Sequence, residues 1–200
     1  MTAQWHDSFI YEDEDWDLVG IKGEGFFSPI EYGLNPVGMC TACWRGYICK
    51  YKITDKKIVL DQLDINHGVE KNGEVEVVEG PLVNGVHPGI SSEDFDLFES
   101  SYRNLNVSIN FSGGIIIAKD FIEELYVHMG FHPAWKYERV IEMIFNAGVV
   151  TSIRDVSDQI SKLREKMQSK PLRPDTKASQ DEIHNWIEEV FEMQYYNLDE

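Results

Sequence analysis

The chain is short of cysteine, of cations and of long apolar runs, and each shortage removes a class of protein. Its cysteines, Cys40, Cys43 and Cys49, are odd in number and closely spaced, so they do not make the disulfide framework of a small secreted domain. Its longest apolar stretches, such as Ile115 to Ala118 and Ala147 to Val150, are far shorter than the ~20 residues a helix needs to cross a bilayer. The N-terminal Met-Thr-Ala-Gln-Trp-His-Asp has neither the cationic start nor the apolar run of a secretory signal, and a cytoplasmic protein is expected. No Walker sequence, GxSxG elbow, dinucleotide fingerprint or lipidation signal occurs, and Gly20, Gly23 and Gly25 read as turn glycines.

The shortage of cations is the most informative. Thirty-five acidic residues stand against 18 basic ones, a formal charge of −17. Such a chain repels nucleic acid and anionic membrane, and it attracts basic proteins over a Debye length. What is present in quantity is core material: 42% hydrophobic and 12% aromatic residues in 200 predict one packed domain that needs no metal or disulfide to fold.

Three stretches contain no Lys or Arg and carry many carboxylates: residues 1 to 20, 91 to 100 and 181 to 200. A solvated face is the plain reading of any one of them. Three together, in a chain whose self-repulsion opposes compaction, point instead to steering of a cationic partner. The candidate contact residues are Glu12, Asp13, Glu14, Asp15 and Asp17 around Trp16, and Glu93, Asp94 and Asp96 around Phe95 and Phe98. The three aromatics are candidate anchors for a bound partner, with core burial as their alternative fate.

Apolar alternation and turn residues predict strands at Phe9 to Tyr11, Leu18 to Ile21, Glu74 to Val78, Val107 to Phe111 and Gly114 to Ala118. They also predict a hairpin from Tyr47 to Leu63 turning at Asp55-Lys56-Lys57. Residues 139 to 153 read as a second hairpin closing at Asn146-Ala147-Gly148, with a helix presenting Val140, Ile141, Ile144 and Phe145 on one face as the alternative. Ser157 reads as the N-cap of a helix carrying Ile160, Leu163 and Met167, a Pro-containing linker covers residues 169 to 174, and Ser179 with Glu182 makes a capping box for a last helix. The expectation is a single α+β domain over residues 1 to 200. Its sheet-rich part spans 1 to 155 and is mainly antiparallel, and two helices occupy 156 to 200.

Motifs that carry chemistry are incomplete. Cys40-Thr41-Ala42-Cys43 has zinc or redox spacing, but the second ligand pair of a zinc site is missing and the residues after it alternate as a strand. His128 and His132 are four apart, yet Gly130 and Pro133 oppose a helix there and no HExxH glutamate accompanies them. No metal, cofactor or catalytic activity is expected, an acid-base site of carboxylates with His67 or His87 being the enzymatic alternative.

The segment Gly38 to Tyr51 (GMCTACWRGYICKY), the run from Phe111 to Ile122 and the run from Leu125 to Trp135 resemble a bacterial family associated with toxin-immunity loci. They are similar to immunity proteins of contact-dependent growth-inhibition systems, some of which neutralise EndoU-type RNA-cleaving toxins. The resemblance spans roughly residues 8 to 168 and carries no active-site residue. It implies a binding role, that of an antitoxin. The charge independently suggests an acidic surface that occupies the basic RNA cleft of a cognate nuclease, and a monomer or weak homodimer is expected. Within these stretches Trp44, Arg45 and Tyr47 read as a buried aromatic and charged cluster, with partner contact as the alternative. A non-catalytic small-molecule-binding or housekeeping domain, its sheet curled into a barrel with an apolar mouth, is the alternative role.

Overall fold

Two-residue turns organise the sheet. In each of the pairs Glu12-Asp13, Asp55-Lys56, Asn72-Gly73 and Ala147-Gly148 both residues have positive φ, between 47° and 83°. That is the type I′ geometry, whose twist matches that of paired strands. The computed structural model describes residues 2–89, 97–168, 177–191 and 193–196. The four turns join β1 (Asp7–Tyr11) to β2 (Glu14–Glu24), β3 (Tyr47–Thr54) to β4 (Lys57–Ile65), β5 (His67–Lys71) to β6 (Glu74–Val78), and β10 (Tyr137–Asn146) to β11 (Val149–Asp155). Between the last two pairs lie β7 (Ser100–Tyr102), β8 (Val107–Ser108) and β9 (Ser112–Phe121), and the helices α1 (Ser157–Gln168) and α2 (Gln180–Phe191) follow.

The main sheet runs in the order β11-β10-β9-β2-β1-β3-β4-β7, antiparallel except where β1 lies parallel to β3. It curls until its ends meet, because β11 also pairs with β4 at Val149 opposite Lys57. Ile58 N donates to Gly148 O (2.9 Å) and Val150 N to Lys56 O (2.8 Å) across this seam. Register shifts at Leu18/Gly20, Lys50/Tyr51 and Ile144/Phe145 are the bulges that bend the strands to close. The fold is α+β, with a mainly antiparallel sheet and helices at the C-terminal end.

Residues of β9 show how both faces of the sheet are used. Ile115 and Ile117 point into the barrel with Phe9, Leu18, Tyr51, Phe111, Met143 and Phe145, while Ile116 and Ala118 point outward to Val19, Trp135, Val140 and Ile160. All of them are buried, so the strand reads as a continuous apolar run. The outer layer is α1, which lays Ile160, Leu163 and Met167 on the sheet, together with Tyr195 and Tyr196 from the chain after α2.

The structure corrects several sequence expectations. Gly20 and Gly23 lie within β2 rather than in a turn. A Cβ on Gly20 would stand 2.6 Å from Gln194 O, so the missing side chain seats the C-terminal segment. Ser157 does not cap α1: its Oγ accepts from Val140 N (3.0 Å), and the Asp155 carboxylate accepts from Ser157 N (2.9 Å). The strand expected at Val107 to Phe111 is only the two-residue β8. The capping box of α2 forms as expected, with Glu182 accepting from Ser179 N (2.7 Å) and Ser179 Oγ accepting from Glu182 N (3.2 Å). The Pro-containing linker, residues 169 to 174, lies outside the described residues. Among the described residues no helix is long and apolar enough to cross a membrane.

Candidate partner-binding surface

The first acidic stretch folds into the β1–β2 hairpin, and most of its charge is satisfied inside the protein. Glu14 pairs with both Lys119 (3.2 Å) and Arg139 (2.7 Å), and these contacts hold its carboxyl below the usual range. Asp15 pairs with Lys50 (3.0 Å), and Asp17 accepts from the Tyr137 hydroxyl (2.8 Å). Glu12 and Asp13, at the turn, are exposed. Trp16 is not an exposed anchor: it is 5% exposed, part of the barrel core, with the Arg139 guanidinium 4.7 Å from its ring centre. Its register opposite Phe9 puts both rings on the inner face of the hairpin.

Glu93, Asp94, Phe95 and Asp96 lie outside the described residues. Phe98 is half-buried beside exposed Leu97, whose carbonyl accepts from Asn66 Nδ2 (2.9 Å). Of the C-terminal stretch, Asp181 and Glu182 occupy the first turn of α2, where carboxylates complement the helix dipole, and Glu188 faces His184 at 3.2 Å.

A more exposed acidic surface lies where the sequence reading did not place it, on the β5–β6 ribbon. Residues 70 to 76 are all exposed. Glu76 pairs with Lys71 (3.0 Å), whereas Glu70, Glu74 and Glu79 have no ion-pair partner among the described residues. Lys71 interrupts the ribbon's carboxylates, so this stretch is not a cation-free run. The discoverable signal was Glu-Val-Glu-Val alternation directly after Asn72-Gly73. Exposed apolar side chains near the chain start, Trp5, Met39 and Trp44, were not singled out as exposed either; Trp5 N donates to Ala42 O (2.9 Å), which draws the start of the chain onto the loop carrying the other two.

Several of the groups with potential chemistry are held in structural contacts. Cys43 is buried, its thiol donating to Tyr47 O (3.3 Å), and desolvation raises the pKa of Cys43 and of fully buried Cys49. Arg45 makes a two-pronged contact with buried Asp7 (2.9 and 3.0 Å), which also accepts from Cys49 N (2.8 Å). Burial opposes the Arg45 charge, but Asp7 outweighs it and the guanidinium pKa is raised. Arg45 also lies 4.9 Å from the Tyr47 ring centre; the two are half-buried rather than buried as expected, and Trp44 is 54% exposed.

His132 is buried between the Phe121 and Tyr126 rings, with its Nδ1 3.3 Å from Lys136 Nζ. Burial lowers His132 to a pKa of about 3 and Lys136 to about 8. His128 packs edge-on against Tyr126, and His67 Nδ1 accepts from Asn35 N (2.9 Å). Among the described residues no group of three or more His, Cys, Asp or Glu side chains is arranged to hold a metal.

No family model matches the chain, and no curated protein or solved structure shows significant similarity to it.

Proposed function

We propose that this protein is an antitoxin: it binds a basic nuclease toxin in the cytoplasm and blocks the cleft that holds RNA. The observation carrying this reading is the exposed β5–β6 ribbon, where Glu70, Glu74 and Glu79 stand without a cationic partner among the described residues, in a chain of charge −17. Unpaired carboxylates on a projecting ribbon are electrostatic substitutes for phosphates, and they accelerate encounter with a cationic cleft. The exposed Trp5 and Trp44 supply the large amphipathic side chains that give a complex its lifetime.

The barrel alternative is less favoured. The sheet does close, but Phe9, Tyr51, Phe111, Met143 and Phe145 fill its interior. The test is to co-purify the protein with the nuclease encoded beside it and to follow RNA cleavage during titration. Cleavage ceasing at a fixed stoichiometry, with an association rate that falls steeply as salt rises, supports the reading. A neighbouring nuclease that stays active in excess of this protein refutes it.

A further inference from the structure

We infer that the outer edge of β6 is a docking strand, which a basic extended segment of the partner joins by backbone pairing; this rests on the antitoxin reading and names where its interface lies. β5 and β6 form a two-stranded sheet apart from the barrel. The two sides of this ribbon differ. The outer side of β5 is occupied, since Gly68 N donates to Asn35 O (2.8 Å) and Pro36 bridges His67. The outer side of β6 receives no backbone hydrogen bond from any described residue. Among the described residues Glu74 to Val78 therefore present, away from β5, a row of unpaired donors and acceptors, the surface that an added strand completes.

Charge selects the occupant. Side chains alternate along a strand, so Glu74 and Glu76 share one face and Val75 and Val77 the other. Glu79 extends the acidic run past the strand, and Val75 is 58% exposed. A second copy of this chain is disfavoured, because pairing β6 with β6 brings like carboxylates together across the strands. A segment alternating Lys or Arg with apolar residues matches both faces.

The experiment uses the full chain and a blocked peptide of alternating lysine and valine at low ionic strength, with hydrogen exchange followed residue by residue. The expected result is binding that slows exchange at alternate amides of Glu74 to Val78, those facing away from β5, by at least about tenfold. The variant Glu74→Gln/Glu76→Gln, both exposed positions, is expected to keep the fold and weaken the peptide at least about tenfold. No binding, or binding that leaves these amides exchanging at their free rate, overturns the inference. The same exchange measurement on the complex with the cognate nuclease separates the two readings. An inhibited nuclease with unprotected β6 amides removes the docking strand and leaves the antitoxin standing, whereas an uninhibited nuclease removes the antitoxin reading even when the peptide docks.

Discussion

The β1–β2 and β5–β6 hairpins are both acidic, yet they are built for different ends. In β1–β2 the carboxylates face cations delivered by other parts of the chain: Asp7 holds Arg45 from the turn before β3, Glu14 holds Lys119 of β9 and Arg139 of β10, and Asp15 holds Lys50 of β3. In β5–β6 the described ion pair is local, Lys71 with Glu76 across the ribbon itself. The first hairpin lies in the middle of the closed sheet and buries Asp7, whose charge must be compensated on folding. The second is a separate ribbon whose residues 70 to 76 are exposed, so water solvates its charges at little cost. Acidity that is spent on architecture is thereby separable from acidity left for a partner.

Removing the most buried link of the first hairpin should have the largest effect. Arg45→Ala leaves Asp7, 2% exposed, with an uncompensated charge, and is expected to cost about 3–5 kcal/mol in urea-induced unfolding. A loss below about 1 kcal/mol means that this pair does not anchor β1.

Next in size is a cation that, unlike those around β1–β2, has no carboxylate partner among the described residues. Lys136 is buried with its pKa lowered to about 8, so the folded state binds fewer protons than the unfolded chain between that value and the ordinary lysine range. Stability must therefore rise as pH increases through this window. Lys136→Met is expected to stabilise the protein at neutral pH by roughly 2 kcal/mol and to abolish the rise, as read from melting temperature against pH.

The two turns sharpen the contrast at about 1 kcal/mol. Glu12-Asp13 places two side chains in the left-handed region, whereas Asn72-Gly73 is suited to it. Asp13→Gly should stabilise and Gly73→Ala destabilise, each by about 1 kcal/mol in chemical denaturation. Equal and negligible effects would show that neither turn limits its hairpin.

Neutralising the free carboxylates should change stability least. Glu70→Gln/Glu74→Gln/Glu79→Gln is expected to stay within about 0.5 kcal/mol of the parent in unfolding, yet to slow association with the cognate nuclease and flatten its salt dependence. Neutralising Glu14 and Asp15 should leave association nearly unchanged. A reversal of this order in stopped-flow binding would transfer the working surface back to the first hairpin.

The class of fold was legible because its signals are local. Alternation at Tyr47, Cys49, Tyr51 and Ile53, the Asp55-Lys56 turn, the Ala147-Gly148 hairpin and the Ser179/Glu182 box all act within a few residues. Sheet closure was not legible, because one strand-end contact between β11 and β4 decides it. Nor was the fate of Trp16: six carboxylates within residues 7 to 17 suggest an exposed segment, but antiparallel pairing with Phe9 turns the ring inward.

The sequence by itself determined the β3–β4 and β10–β11 hairpins, the helix start at Ser179 and the net charge, since each depends on neighbours in the chain or on a simple sum. Tertiary structure alone decided which carboxylates are spent and which are free. Glu14 meets an arginine 125 residues away, and Asp7 one 38 residues away, while Glu70, Glu74 and Glu79 meet none among the described residues. Charge is written locally, but its neutralisation depends on which distant strands the closed sheet brings alongside.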